Sequence, residues 1–371
     1  MYIFIEQEIP HYRVGTLNAL NRSLDDKLTV YSGKCPPQSN LIEADPNSME
    51  FKHRYLKTRW ILNEKFLIAN YFITLNNTNI DAIIIRDSIR SLLFFPFILY
   101  CKLNKIPIVL WGQGYSRKRL FNPKKNLIDL LHLFKLKLCS AYVAYSQGTR
   151  KNLGNWVSSE KIFVANNTVN LSLSSDASIF APKSRPQPNY RPTIVFIGRL
   201  QGRKKVNILL QAVSILQSDY QSDFNTIIIG DGEESEKLEK LSHQLKIRDL
   251  YWAGEQNFEK SQPILQKADL VVIPGWLGLA VNHAFYFGLP VITEAPNQDC
   301  TNHPPEVEAL HDGVNGLFYE PDNPRALADA ILRCLKNRDI YSEAALRTFQ
   351  HEMSLDAMVK GFTDALSFVC N

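Results

Sequence analysis

No two cysteines in the 371-residue sequence have Cys-x-x-Cys spacing. The six, at 35, 101, 139, 300, 334 and 370, stand far apart, which excludes a disulfide framework and a zinc site built on cysteine pairs. Scattered in this way they read as reduced, buried thiols. The longest apolar run, Ser91–Cys101, is about half the length that spans a bilayer. The first residues, MYIFIEQEIPHYR, lack the basic start and small-residue cleavage site of a signal peptide. A cytoplasmic protein is expected on both grounds. Glycine and proline, 17 and 19 residues, follow no period, so collagen-like and low-complexity chains are excluded. No G-x-G-x-x-G follows the first strand, which argues against a nicotinamide dehydrogenase. There is no paired-cysteine zinc pattern, RNP-type aromatic set or helix-turn-helix signature, so no specific nucleic-acid partner is expected.

What is present is an ordinary globular composition, 45% apolar and 21% charged. At about 150 residues per domain the length suggests two domains, each large enough for its own core. Charge is divided unevenly. Residues 1–182 hold 23 Lys and Arg against 13 Asp and Glu, and residues 183–371 hold 19 against 24. The basic first half is suited to an anionic partner: nucleic acid, a phosphate-bearing substrate or an acidic membrane surface.

Strand-like and helix-like segments alternate. Tyr2–Glu6, Leu28–Tyr31, Ala82–Ile85, Ile108–Trp111, Ala141–Tyr145 and Ile162–Ala165 read as strands. Val14–Leu24, Ser88–Leu103 and Lys124–Leu138 read as helices, with a kink at Pro96. The pattern lapses near Pro182–Pro192, which has four prolines, and then resumes. The second series is Thr193–Ile197, Asn207–Gln217, Thr226–Ile229, Glu233–Leu245, Tyr251–Ala253, Ser261–Lys267, Leu270–Ile273, Gly278–Phe287 and Val291–Thr293. Such alternation predicts an α/β fold with two parallel-sheet domains, at 1–172 and 193–352, joined by a linker at 173–192. A cleft between two such domains is a natural ligand site.

Three segments carry chemistry. In IVFIGRL (194–200) a buried strand ends at Gly198, and Arg199 and Lys204 follow at the strand's carboxyl end. Arg grips phosphate bidentately and Lys acts as a point charge; a solvated basic turn has the same local pattern. IIIGDGEE (227–234) has the form of a nucleotide-binding turn, and equally of an ordinary helix cap. In the third, from Asp269 to Ile292, a helix expected from Gly278 offers free amide groups to an anion.

In this order the segments resemble the donor-binding domain of family 4 glycosyltransferases, which have the GT-B fold of two Rossmann-like domains. YWAG (251–254), ADLVVIP, GLAVNHAFYFGLPVI and the stretch from Pro304 to Ile331 complete the set, which spans residues 193 to 335. IPHYRVGTLNAL, IPIVLWGQGYSR and EKIFVANNTVN resemble more weakly a bacterial surface-polysaccharide or lipopolysaccharide subgroup. The resemblance implies sugar transfer, with retention, from a nucleotide-sugar donor to a hydroxyl of a saccharide or lipid-linked saccharide acceptor. UDP- and GDP-linked donors are the expected ones, and no cofactor or metal is implied. Arg199 and Lys204 match the cations that neutralise the departing diphosphate. Gly198, Gly230, Glu234, Gly278, Leu279, Asn282, His283 and Glu306 fall on the donor side. His11, Arg13, Gln113, Arg117 and Asn167 fall on the acceptor side, facing the cleft. GT-B relatives also send a C-terminal helix back to the first domain, and residues 353–371 carry the apolar stripe for it.

Three positions depart from the family. Gly275 and His283 stand where two glutamates eight residues apart are usual, and Gln113 where many relatives have histidine. A catalytically silent relative that binds a nucleotide sugar or scaffolds an assembly complex is therefore the alternative. Finally, Arg117–Lys137 interleaves basic and apolar residues. It reads as a basic amphipathic helix on the inner face of an anionic membrane, or as a buried helix with a solvated rim.

Overall fold

The computed structural model describes residues 1–34, 43–62, 66–76, 79–88, 91, 93–115, 121–168, 190–298 and 302–370. Two compact units divide the chain: Met1–Asn170 with Ser354–Asn371, and Leu171–Met353. The linker expected at 173–192 lies almost wholly outside the described residues.

The first unit is built on β1 (Tyr2–Glu8), β2 (Leu28–Gly33), β3 (Lys52–Tyr55), β6 (Ala82–Arg86), β7 (Ile108–Gly112), β8 (Ala141–Ala144) and β9 (Ile162–Val164), with β4 (Thr58–Ile61) and β5 (Phe66–Ala69) forming a separate antiparallel pair. The seven strands lie in the order β3-β2-β1-β6-β7-β8-β9, all parallel. Alternate side chains serve opposite faces. Ile3, Ile5, Ile83, Ile85 and Leu110 pack with Phe94, Phe97, Leu133 and Leu136 from α2 (Phe94–Leu103) and α3 (Leu127–Leu138). Phe4, Val30, Ile84 and Val109 pack with Leu17 and Leu20 of α1 (Val14–Ser23) on the other face. A short α4 (Gln147–Gly154) leads to β9.

Several boundaries differ from the sequence reading. The helix expected over 88–103 begins only at Phe94. Pro96 therefore falls in its first turn, where a missing N–H costs nothing, and no kink is needed. The next helix begins at Leu127 rather than Lys124, because Asn126 caps it by accepting a hydrogen bond from Asp129 N. β3 and β4 were not expected: KHRY and TRWI are polar and half-exposed strands without an apolar alternation.

The second unit contains β10 (Thr193–Ile197), α5 (Val206–Ser218), β11 (Asn225–Ile229), α6 (Ser235–Gln244), β12 (Leu250–Gly254), α7 (Phe258–Lys267), β13 (Leu270–Val272), α8 (Ala280–Tyr286), β14 (Val291–Glu294), β15 (Gly316–Tyr319), α9 (Pro324–Lys336) and α10 (Arg338–Thr348). Its six strands are parallel in the order β12-β11-β10-β13-β14-β15. The order reverses beside β10; the loop after β10 packs against the one after β13, and the open space at the carboxyl edge lies among the loops after β10, β11 and β12.

The last helix, α11 (Leu355–Cys370), belongs to the first unit. Its Met358, Phe362, Ala365 and Leu366 fill the core on the α1 side. Gly361 allows the close fit: a Cβ there would stand 2.2 Å from the Val164 carbonyl oxygen. Cys101, Cys139 and Cys334 are buried free thiols, whereas Cys370 near the end of this helix is exposed, contrary to expectation. Burial pushes the Cys101 and Cys334 thiols up to about 12. Among the described residues no helix is long and apolar enough to cross a bilayer. Because the Val164 carbonyl is backbone and cannot rotate away, Gly361→Ala is expected to destabilise the protein by about 2 kcal/mol. Thermal unfolding measures this; an unchanged Tm would show that α11 does not dock as described.

Candidate functional site

The carboxyl edge of the second unit's sheet is assembled from backbone turns packed without side chains between them. A Cβ on Gly230 would lie 1.9 Å from the Gly198 carbonyl oxygen, and one on Gly232 would lie 2.3 Å from that of Leu200. The turns after β10 and β11 therefore pack backbone to backbone. They open into a cavity of about 340 Å³, lined by Gly198, Arg199, Gly230, Asp231, Glu255 and Gln256 among others. Arg199 is exposed here.

Lys204 lies at the end of a short 3-10 turn, Gly202–Lys204, and is only 7% exposed. Its Nζ donates to the carbonyls of Trp276 and Leu277 at 2.7 and 3.0 Å. The missing side chains of Gly198 and Gly278 leave room around the ammonium: a Cβ at either would stand 3.6 Å from Nζ. Burial pushes the Lys204 pKa down to about 8, Arg203 adds to the shift, and the carboxylate of Glu306 opposes it. Glu306 sits half-buried in a 3-10 turn, Pro305–Ala309. The fold thus gathers Gly198, Lys204, Gly278 and Glu306, with Arg199 and Gly230 on the adjoining cavity. This is a cationic seat at a sheet's carboxyl edge, suited to an anion such as a diphosphate.

The remaining positions on this side are arranged differently. Gly278 has φ +66, which a helix cannot continue, so α8 starts at Ala280 rather than near Gly278. Leu279 is its half-buried N-cap, and Asn282 is fully buried. His283 is half-buried, with its ring 5.4 Å from that of Phe258. Burial pushes its pKa down to about 4, so the ring is neutral, and Nδ1 makes no hydrogen bond within the described residues. Glu234 is the N-cap of α6 and pairs with Lys237 at 3.1 Å; it is not among the residues that line the cavity.

At Gly275 the usual carboxylate is absent, and the surrounding backbone explains why. A Cβ there would meet the Arg203 carbonyl oxygen at 2.2 Å. Gly275 N donates to the Lys204 carbonyl and Trp276 N to that of Arg203. Arg203 also stacks over the Trp276 ring at 5.4 Å. Here the backbone of residues 203–204 occupies the space a side chain would need. Glu255, Gln256 and the buried Glu294, which pairs with Lys205 at 2.6 Å, were not singled out in the sequence. The position of Glu255 and Gln256 directly after β12 was the available signal.

In the first unit, His11 is exposed and stacks edge-on with Tyr12. Arg13, expected at a cleft surface, is buried instead. Its guanidinium lies 4.7 Å from the Trp111 ring and donates to Asn167 Oδ1 at 3.0 Å. Beside it are Glu6 and Glu8, both bridged by Arg86 at 3.6 and 3.3 Å. Burial pushes the Glu6 carboxyl up, while Arg86 and Arg13 oppose the shift. Gln113 is exposed, and its carbonyl accepts from Thr149 Oγ1. Arg117 lies outside the described residues.

Comparison with known proteins agrees with this architecture. Residues 179–349 match the profile of the family described as glycosyl transferases group 1. An uncharacterized glycosyltransferase of Methanocaldococcus jannaschii is 24% identical over 175 residues, 46% of this chain and 43% of that protein. The lipopolysaccharide core biosynthesis glycosyltransferase LpsE of Rhizobium meliloti is 27% identical over 183 residues, 47% of each. The chain thus spans less than half the length of these curated relatives. The crystal structure of HepE from Anabaena, in complex with UDP, superimposes with a TM-score of 0.68 over 99% of this chain and 100% of that one, at 15% identity. Residues 179–349 are thus similar to the group 1 glycosyltransferases, and the fold is GT-B.

Restoring a glutamate at position 275 is expected to harm the protein. Gly275→Glu should cost about 2 kcal/mol or more, since the clash is with backbone. Thermal unfolding and limited proteolysis report it; a variant as stable as the parent would show that the loop at 202–205 does not pack as described.

Proposed function

We propose that the protein transfers a sugar, with retention and without a metal, from a nucleotide-sugar donor to a hydroxyl of a saccharide or lipid-linked saccharide in cell-surface polysaccharide assembly. The observation that carries this reading is the ammonium of Lys204 between two glycine turns, next to a cavity that exposes Arg199. As the glycosidic bond to the donor phosphate breaks, negative charge builds on the leaving diphosphate. Two cations held before the reaction stabilise that charge at little reorganisation cost. Glu306 favours the charged form of Lys204. The UDP in the HepE complex and the UDP-glucose in a second HepE structure favour a uridine-linked donor, with GDP-linked donors next. The name of LpsE favours a lipopolysaccharide acceptor. His283 offers a neutral ring nitrogen to a donor hydroxyl. The proposed place of action is the cytoplasm, with peripheral attachment to the inner face of the cell membrane.

Arg199→Ala and Lys204→Ala should each lower turnover about a hundredfold, the usual effect of removing one transition-state charge partner. Circular dichroism and Tm of Arg199→Ala, whose side chain is exposed, should be unchanged, and EDTA without effect. Since Lys204 loses its proton near pH 8, UDP affinity should fall as pH rises from 7 to 9, and Lys204→Met should flatten that dependence. Normal turnover in both alanine variants would refute the reading. UDP binding without transfer to any saccharide acceptor would favour a silent relative instead. His283→Ala should raise the UDP dissociation constant several-fold, as one lost hydrogen bond of about 1 kcal/mol does. Isothermal calorimetry measures it; an unchanged constant with a lowered Tm would make His283 a packing residue.

A further inference from the structure

Helix α3 buries charged side chains beside Leu133 and Leu136 and turns a stripe of large apolar ones outward. Three of its charged and polar residues face inward: Asp129, His132 and Lys135 are buried, Lys135 completely. Lys135 forms an ion pair with Asp87, the residue after β6, and His132 lies 3.4 Å from the same carboxylate. Tyr142 of β8 donates to it at 2.9 Å. The apolar residues Leu127, Leu130, Leu131 and Phe134 recur at i, i+3, i+4 and i+7, and all are turned to solvent. Helix α2, which packs against α3, repeats the pattern with exposed Pro96, Leu99, Tyr100 and Leu103. These leucines, Tyr100 and Phe134 are between 44% and 75% exposed. Two adjacent apolar stripes on one face form a patch that a free surface rarely keeps uncovered.

The charges around the patch identify what covers it. From Ser88 to Cys139, Asp129 is the only acidic residue, and it is buried. Lys102, Lys105, Lys124, Lys125 and Lys137, all exposed, stand at the ends of the two stripes. Between the carboxyl ends of α2 and α3 lies a cavity of about 160 Å³, lined by Ile98, Ile106 and Leu138 and by the polar Lys102, Lys105 and Ser140. A second copy docking here would set lysines against lysines. An anionic bilayer satisfies both features, its acyl region taking the leucines and Phe134 and its headgroups taking the lysines.

We propose that the face formed by α2 and α3 inserts shallowly into an anionic lipid surface, with Leu127, Leu130, Leu131 and Phe134 entering the acyl boundary. This rests on the peripheral-membrane part of the function proposed above and not on sugar transfer. It differs from a basic helix lying on headgroups, because the stretch contributes its apolar side chains outward and buries Lys135.

The test uses the full chain, flotation with phosphatidylglycerol–phosphatidylcholine vesicles and with phosphatidylcholine alone, and UDP thermal shift on the same samples. The parent should float with the anionic vesicles, and a fraction should stay bound at high salt. Leu130→Ser, Leu131→Ser and Phe134→Ser combined should lower binding on the order of tenfold or more, with the Tm and the UDP shift unchanged. In Phe134→Trp, vesicles with brominated acyl chains should quench the indole. No flotation with anionic vesicles, or flotation lost entirely at high salt without quenching, would overturn the proposal. So would a parent dimer in solution that the triple variant dissolves. A missing UDP shift in a parent that still floats would instead count against the donor-site reading alone.

Discussion

The bonds from Lys204 Nζ to the carbonyls of Trp276 and Leu277 tie together two turns 72 residues or more apart in the chain. A buried ammonium must find acceptors, since desolvation without them costs several kcal/mol. Lys204 finds them in the turn after β13, and this holds that turn against the one after β10. The backbone bonds from Gly275 and Trp276 to residues 204 and 203 lock the same junction. Room for it exists because Gly275 lacks a side chain, whose Cβ would stand 2.2 Å from the Arg203 carbonyl oxygen. The same junction leaves the ammonium beside Gly198, whose other neighbours open into the cavity with Arg199. Packing and the proposed chemistry are therefore one constraint: the lysine that closes the two turns is the one placed to meet a diphosphate.

The first unit is organised by a carboxylate. Asp87 is deeply buried, yet Lys135 beside it and hydrogen bonds from Lys135 and Tyr142 hold it below the usual carboxylate range against the cost of burial, while burial pushes the neighbouring His132 down to about 4 and so leaves it neutral. Removing one partner of such a pair strands the other charge. The pair therefore fixes the rotation of α3. Once Lys135 and His132 point inward, Leu127, Leu130, Leu131 and Phe134 have no direction left but outward. An apolar surface on this unit is thus a consequence of satisfying one internal charge.

Near the ends of the first sheet, Arg13 shows the same economy. It rests on Trp111 and bonds Asn167, close to Glu6, Glu8 and Arg86. Charged residues in loops after strands read in a sequence as surface groups. Here the loop after β1 turns back over the sheet end, and the arginine becomes part of the interior.

Periodicity and turn residues in the sequence were enough to indicate the parallel strands, most helices and the positions of Gly198, Arg199 and Lys204, because these depend on neighbours within about ten residues. Thr193–Ile197 is a strand in both readings, and α11 carries its apolar stripe openly. Polar strands such as Lys52–Tyr55 left no such trace. The direction in which α3 faces, the burial of Arg13 and the exclusion of any side chain at position 275 were decided only by the tertiary structure. Each is set by a group distant in the chain: Asp87 for α3, Asn167 for Arg13, and the backbone of residues 203–204 for Gly275. Local spacing carries no information about which distant charge or carbonyl will occupy the facing space, and that is what the folded chain supplies.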